Sequence, residues 1–254
     1  MYRKGARIIG WSPRFLPFVA MYHLVLTAVR ICDWVVYRIR ILGREQLRGL
    51  DAAVIVSNHT LLFDPGIIAH AIRPRRTYFT MLEETALIPY LGTFVRLLGA
   101  IPIPEGAGSL RILDDAAGTA LRTLGLIHFF PEGELYLGNQ QLEPFHPGAF
   151  LLACRRGVPV VPVTTVLHQR LWRGKGRVRV AGHEFRLPPR VTVVIGAPLF
   201  PGEQDRRSPV RAARLMADRV RSEMQEAIDR HGGSKSIARG LMPRLVKREE
   251  KRSA

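Results

Sequence analysis

Between residues 53 and 198, short apolar runs alternate with stretches patterned for helices, and this alternation restricts the fold more than any other feature of the chain. The runs "AAVIVSN", "RTYFTML", "AIPIP", "LIHFFPEG", "VPVVPVTTV", "RVRVAG" and "RVTVVIGAPL" hold the β-branched and aromatic residues that suit buried strands. Among them lie "PGIIAHAI", "IPYLGTFVRLLGA", "SLRILDDAAGTALRTLG" and "GAFLLACRRG". Pro65 marks a helix start with Asp64 as its N-cap, and Gly99, Gly125 and Gly157 mark helix ends. Strands separated by helices pair as a mixed, largely parallel sheet whose two faces the helices cover. The expected fold class is α/β, a mixed, largely parallel sheet flanked by helices. A chain of 254 residues supplies one such domain with appendages. The expected divisions are 1–42, 43–201 and 202–254.

The first of these carries Arg3, Lys4, Arg7 and Arg14, then the apolar stretch "FLPFVAMYHLVLTAVRICDWVVYRIRIL". Pro17, His23, Arg30 and Asp33 interrupt it before an uncharged run reaches the ~18–20 residues a membrane span needs. No small-residue cleavage site follows, so a secretory signal is not expected. Trp11, Tyr22, Trp34 and Tyr37 suit a headgroup region. Residues 1–42 therefore read as a membrane-interface helix or helix pair, or as a core helix packed on the next domain; periodicity does not separate the two. The last division is a basic C-terminal helix with Arg206, Arg207, Arg211, Arg214, Arg219 and Arg221, followed by the tail "KREEKRSA". Its charge is a solvated face or a dock for an anionic molecule.

The turn "SNHTLLFDP" at residues 57–65 carries the first chemistry. An imidazole titrates near neutral pH, and an acidic neighbour that accepts from one ring nitrogen fixes the tautomer that makes the other a general base. His59 and Asp64 would lie on different faces of a continuous helix. Pro65 argues that the helix starts only there, which leaves His59 in a loop at the carboxyl end of a strand, where open α/β sheets bind ligands. The pair meets there, or it is a helix cap beside a surface histidine. "FFPEGE" places Glu132 between Pro131 and Gly133 after a buried strand, a site for a carboxylate that grips a hydroxyl. His128 reads as a strand histidine and His146 as part of a turn with Pro147; neither has a partner at metal-ligand spacing. Two cysteines, Cys32 and Cys154, form no disulfide framework or thiolate zinc site.

Asn58-His59 with Asp64, then Phe130-Pro131-Glu132-Gly133, "PFHPGAF", and Val158-Pro159 with Pro162 follow in order, each at a strand or helix junction. Over roughly Gly43 to Phe200 the chain resembles the membrane-associated glycerolipid acyltransferases, typified by 1-acylglycerol-3-phosphate acyltransferases. The resemblance implies an O-acyltransferase. His59 is its general base and Asp64 orients it, while Asn58, Glu132, Gly133 and Arg111 hold the acceptor. Val158, Pro159 and Pro162 shape the acyl or donor surface. It implies acyl-CoA or an acyl carrier protein as co-substrate, a lipid acceptor, no metal and no other cofactor. The implied seat is a membrane surface, on the cytoplasmic face of the inner or plasma membrane.

Two positions depart from the family pattern. Glu105 stands where its second motif ends in arginine, and Glu134-Leu135-Tyr136 stands in place of Thr-Arg-Ser. Those arginines are the expected grip on a phosphate, through charge-assisted bonds of about 1.5–3 kcal/mol each. The same chemistry on an acceptor lacking a phosphomonoester is therefore the alternative, unless Arg111, Arg96 or Arg122 supplies the grip. The net charge of +17 implies anionic partners. A basic membrane- or nucleic-acid-binding protein without chemistry explains that charge but not the motifs, and no groove-reading helix or interleaved aromatics point to nucleic acid. A serine hydrolase lacks its Gly-x-Ser-x-Gly elbow.

Overall fold

A computed structural model describes residues 36–83, 99–103, 109–169, 177–180, 183–186, 188–234 and 240–241, with scattered positions besides. Most of the expected helix closing at Gly99 and most of the expected 1–42 division lie outside the described residues. Eleven strands are described: β1 (Arg40–Leu42), β2 (Ala53–Ser57), β3 (Tyr78–Leu82), β4 (Ala100–Ile103), β5 (Leu126–Phe129), β6 (Tyr136–Leu137), β7 (Val160–His168), β8 (Arg177–Val180), β9 (His183–Arg186), β10 (Arg190–Ile195) and β11 (Gly240–Leu241). The helices that concern the site are α1 (Asp64–Ala71), α2 (Ser109–Thr123), α3 (Gly148–Arg156), α4 (Glu203–Arg207) and α5 (Pro209–Arg230).

Seven strands form one sheet in the order β1-β10-β7-β2-β5-β3-β4. All neighbours pair in parallel except β10 with β7, so the sheet is mixed and largely parallel. Strand β2 lies at its centre with every residue buried, which is why "AAVIVS" is a continuous apolar run rather than an alternating one. Alternate side chains leave it in opposite directions. Val54 and Val56 join a cluster with Ala117, Phe150, Val220 and Met224, under α2, α3 and α5. Ile55 joins Ile67, Ile68, Val161 and Leu167, under α1. Each fully buried Val or Ile contributes about 1.5–3 kcal/mol relative to exposure. Helix α3 ends where Gly157 adopts φ 64, a left-handed conformation that costs glycine little.

Residues 40–42 pair with β10, so the division at 42/43 falls inside the sheet's edge. Helix α5 packs against α3 and β7 and buries Ala213, Val220, Met224 and Ile228. Residues 209–230 therefore belong to the same core as the sheet, because their apolar stripe is long enough to cover it. Asp64 is the first residue of α1 rather than its N-cap; Phe63 takes that place. "RVRVAG" does contain a strand, but among the described residues β8 pairs only with β9 in a separate hairpin.

Candidate active site

The carboxyl ends of β2, β5 and β7 form one rim, and the loop 58–63 rises from its middle. His59 Nδ1 lies 3.0 Å from Asp64 Oδ2. The same oxygen accepts from Thr60 N at 2.6 Å and Leu61 N at 2.8 Å. Asp64 is therefore the pivot of a tight turn, fully buried and bound by three donors, while the His59 side chain stays about 20% exposed. A carboxylate in that position accepts the Nδ1 proton and leaves Nε2 as the basic atom. Among the described residues His59 Nε2 makes no hydrogen bond. The imidazole stacks on Phe130, with ring centroids 3.9 Å apart and planes inclined by 15°. These contacts fix the ring from one edge and one face, and the remaining edge is the one a substrate can reach.

Glu132 is 5% exposed, and each of its oxygens accepts a backbone hydrogen bond. Oε1 accepts from His59 N at 2.9 Å and Oε2 from Glu143 N at 3.2 Å. Burial pushes its carboxyl up to about 7, against the pull of those two amides and of His59. Glu132 thereby clamps the backbone that carries His59. Gly133 follows at φ 75, where an added Cβ would stand 2.9 Å from His146 Cδ2. Its bare backbone lets the turn close under the His146 ring.

Asn58 is likewise committed. Its Nδ2 donates to Thr165 O at 3.0 Å and its Oδ1 accepts from Thr165 N at 2.8 Å. The amide copies a peptide group and extends the β2–β7 pairing by one step, fully buried. It holds the start of the loop to β7. Thr165 was not legible as its partner, because the contact depends on the register that sets Ser57 beside Val163. Phe130, quoted only as part of a motif, carries the stacking contact.

The expected donor surface does not converge on His59. Val160 pairs with Val54, so Val158 and Pro159 lie at the opposite end of the sheet from the carboxyl rim. Pro159 is buried, its carbonyl bound by Val54 N. Pro162 sits beside Val56, buried, with its carbonyl bound by Gly196 N at 2.8 Å. The side chain of Arg111 lies outside the described residues. Behind the rim, Ser57 Oγ lies 2.7 Å from His128 Nε2 in full burial. Burial first, then the neighbouring His59, lowers the His128 imidazole to about 3, so it is a neutral core residue. Among the described residues, no three His, Cys, Asp or Glu side chains group as metal ligands, and no helix is long and apolar enough to cross a membrane.

Comparison with known proteins adds the following. A family model described as Acyltransferase matches residues 38–166. Over 173 residues, 66% of this chain and 48% of its relative, the sequence is 31% identical to a 1-acyl-sn-glycerol-3-phosphate acyltransferase of Chlamydomonas reinhardtii. It is 26% identical over 200 residues to the chloroplastic 1-acyl-sn-glycerol-3-phosphate acyltransferase BAT2 of Brassica napus, covering 76% of this chain and 52% of that one. The chain spans about half the length of the curated relatives it matches. The crystal structure of the 1-acyl-sn-glycerophosphate (LPA) acyltransferase PlsC from Thermotoga maritima shares the fold, with a TM-score of 0.52 at 19% identity over 82% of each chain.

Proposed function

The chain belongs to the Acyltransferase family, and on that premise we propose that it moves a fatty acyl group from an acyl thioester to a hydroxyl of a glycerolipid. The 1-acylglycerol-3-phosphate class is the first acceptor to consider, because the named relatives act on it. His59 Nε2 takes the hydroxyl proton as that oxygen attacks the thioester carbonyl. The carbonyl carbon gains the new C–O bond, the C–S bond breaks, and the departing thiolate recovers the proton from the imidazolium. Asp64 holds the tautomer and offsets the positive charge that His59 carries between the two steps. One observation carries this reading: the 3.0 Å contact of Nδ1 with a buried carboxylate on a ring whose other nitrogen has no partner among the described residues. The donor is acyl-CoA or an acyl carrier protein. The seat is a membrane surface on its cytoplasmic side, supported by the net charge of +17 and by exposed Leu62 and Phe63 beside His59.

A second reading keeps the chemistry and changes the acceptor to one without a phosphomonoester. Burial, then the Glu143, Glu134 and Glu132 carboxylates, hold the Tyr136 phenol above its ordinary value, so this side of the mouth is acidic. Like charge there disfavours a phosphate. The test is a panel of lysolipid acceptors with one labelled acyl-CoA, read by mass spectrometry of the products, for the wild type and His59→Ala. Acyl transfer undiminished in the variant removes the proposed base. Equal use of 1-acylglycerol-3-phosphate and a neutral lysolipid removes the argument about the acceptor.

A further inference from the structure

Strands β7, β10 and β1 continue the rim that carries His59, and beyond them opens a cavity of about 560 Å³ lined in part by Arg38, Arg40, His168, Arg190, Thr192 and His231. Register brings these residues together. Arg190 stands opposite His168, and Arg40 is level with Thr192. The segment after α5 is tied down by Ser234 N on Leu167 O, which carries His231 to the same end. Val191, Val193 and Leu167 pack on the α1 side, so the alternation of side chains turns Arg190, Thr192 and His168 to the α5 side.

Among the described residues the charge of this cavity is uncompensated, and no carboxylate of theirs lines it. Arg38, Arg40 and Arg190 are exposed and form no ion pair among the described residues. His168 Nε2 lies 3.0 Å from Thr192 Oγ1, and burial, with further pressure from His231 and Arg190, lowers its pKa. Arg38 adopts φ 48, a left-handed conformation that is costly for a side-chain-bearing residue and persists where the surroundings impose it. All three guanidinium groups are exposed, and like charges gathered in one cavity repel until an anion offsets them.

We infer that this cavity is a binding site for a phosphate-ester anion. Planar guanidinium groups match phosphate oxygens in pairs, and imidazoles at the edge add donors. The volume lies within the range of small-molecule sites and exceeds what one phosphate fills, so the ligand brings more than its anionic group. Strands β7 and β10 are the first and second beyond β2, and β7 runs on from Val163, level with Ser57, to His168, so the cavity lies to the side of His59 and farther out along the sheet. Assigning its ligand as the acyl donor rests on the acyl-transfer reading; the anion site itself does not. The phosphate belongs either to a nucleotide thioester donor or to the headgroup of an anionic lipid.

The experiment uses the full chain as wild type, Arg40→Ala/Arg190→Ala and His59→Ala, with Arg38→Ala as a second, milder variant. Calorimetric titration measures binding of pyrophosphate and of CoA. Flotation measures capture by phosphatidylcholine vesicles with and without phosphatidylglycerol, and thermal unfolding checks each variant. The wild type is expected to bind at least one probe, more weakly as salt rises. Arg40→Ala/Arg190→Ala is expected to lose roughly tenfold or more of that affinity, equivalent to about 1.4 kcal/mol, while His59→Ala loses none. A loss confined to CoA and pyrophosphate assigns the donor, and a loss confined to anionic vesicles assigns the headgroup. Affinities that stay equal across wild type, Arg40→Ala/Arg190→Ala and Arg38→Ala, or a wild type that binds no probe, overturn the inference. Retained anion binding without any acyl transfer would remove only the function proposed above.

Discussion

Replacing Asp64 by Asn removes the charge behind His59 and leaves the turn its acceptor. The oxygen at the pivot receives Thr60 N, Leu61 N and His59 Nδ1 at 2.6, 2.8 and 3.0 Å, and an amide oxygen accepts from the same three donors. Alanine would instead strand buried N–H groups, at about 1–3 kcal/mol each, and confuse folding with chemistry. Once His59 holds the acceptor's proton, the imidazolium and carboxylate centres stand about 4 Å apart; at an effective dielectric of 20 their attraction is about 4 kcal/mol. Losing most of it lowers the rate of the chemical step by about 10²–10³. KM should change little, since Asp64 is fully buried and touches no substrate. The assay is release of thiol from a long-chain acyl-CoA at saturating 1-acylglycerol-3-phosphate, with circular dichroism melting as the control. A variant that melts normally and keeps kcat within about threefold of wild type would show that the carboxylate charge is not what makes His59 a base.

Two further outcomes follow from the buried groups. The folded-state pKa of Glu132 is raised to about 7, so its contribution to stability is full below the ordinary carboxylate range and is lost as pH rises through about 7. His128 is lowered to about 3, so its contribution is full above the ordinary imidazole value and is lost as pH falls toward 3. Between about pH 4.5 and 6.5 the two slopes oppose each other, and urea denaturation across that window should show Glu132→Gln losing stability on acidification more steeply than wild type. An unchanged slope would mean Glu132 titrates normally. Asn58→Ala strands Thr165 N in the core and leaves Thr165 O only the 3.4 Å bond from Gln140 Nε2, and should cost roughly 1–3 kcal/mol by denaturant titration, whereas a cost near zero would mean water replaces the amide.

What was legible in the sequence is what neighbouring residues dictate to each other. The run Ala53–Ser57 had to be buried on both faces, and the helical stretches between strands forced parallel pairing. Asn-His, four residues and Asp-Pro read as a strand end, a tight turn and a helix start, which let Asp64 meet His59 but left open whether it does; the structure brings them to 3.0 Å. Even there the helix begins one residue early, since the carboxylate turns back to Thr60 and Leu61 instead of capping the helix. The parts taken by Asn58, Glu132, Val158 and Pro159 were decided elsewhere, by which strand lies beside which and in what register. That pairing turned two polar side chains into backbone clamps and carried the start of β7 to the far end of the sheet. It also gathered Arg38, Arg40, His168, Arg190 and His231 around one cavity. Turn geometry acts over a few covalent bonds and is written in local residue types. Strand register is settled by core burial summed over the whole sheet, and no single segment contains that sum.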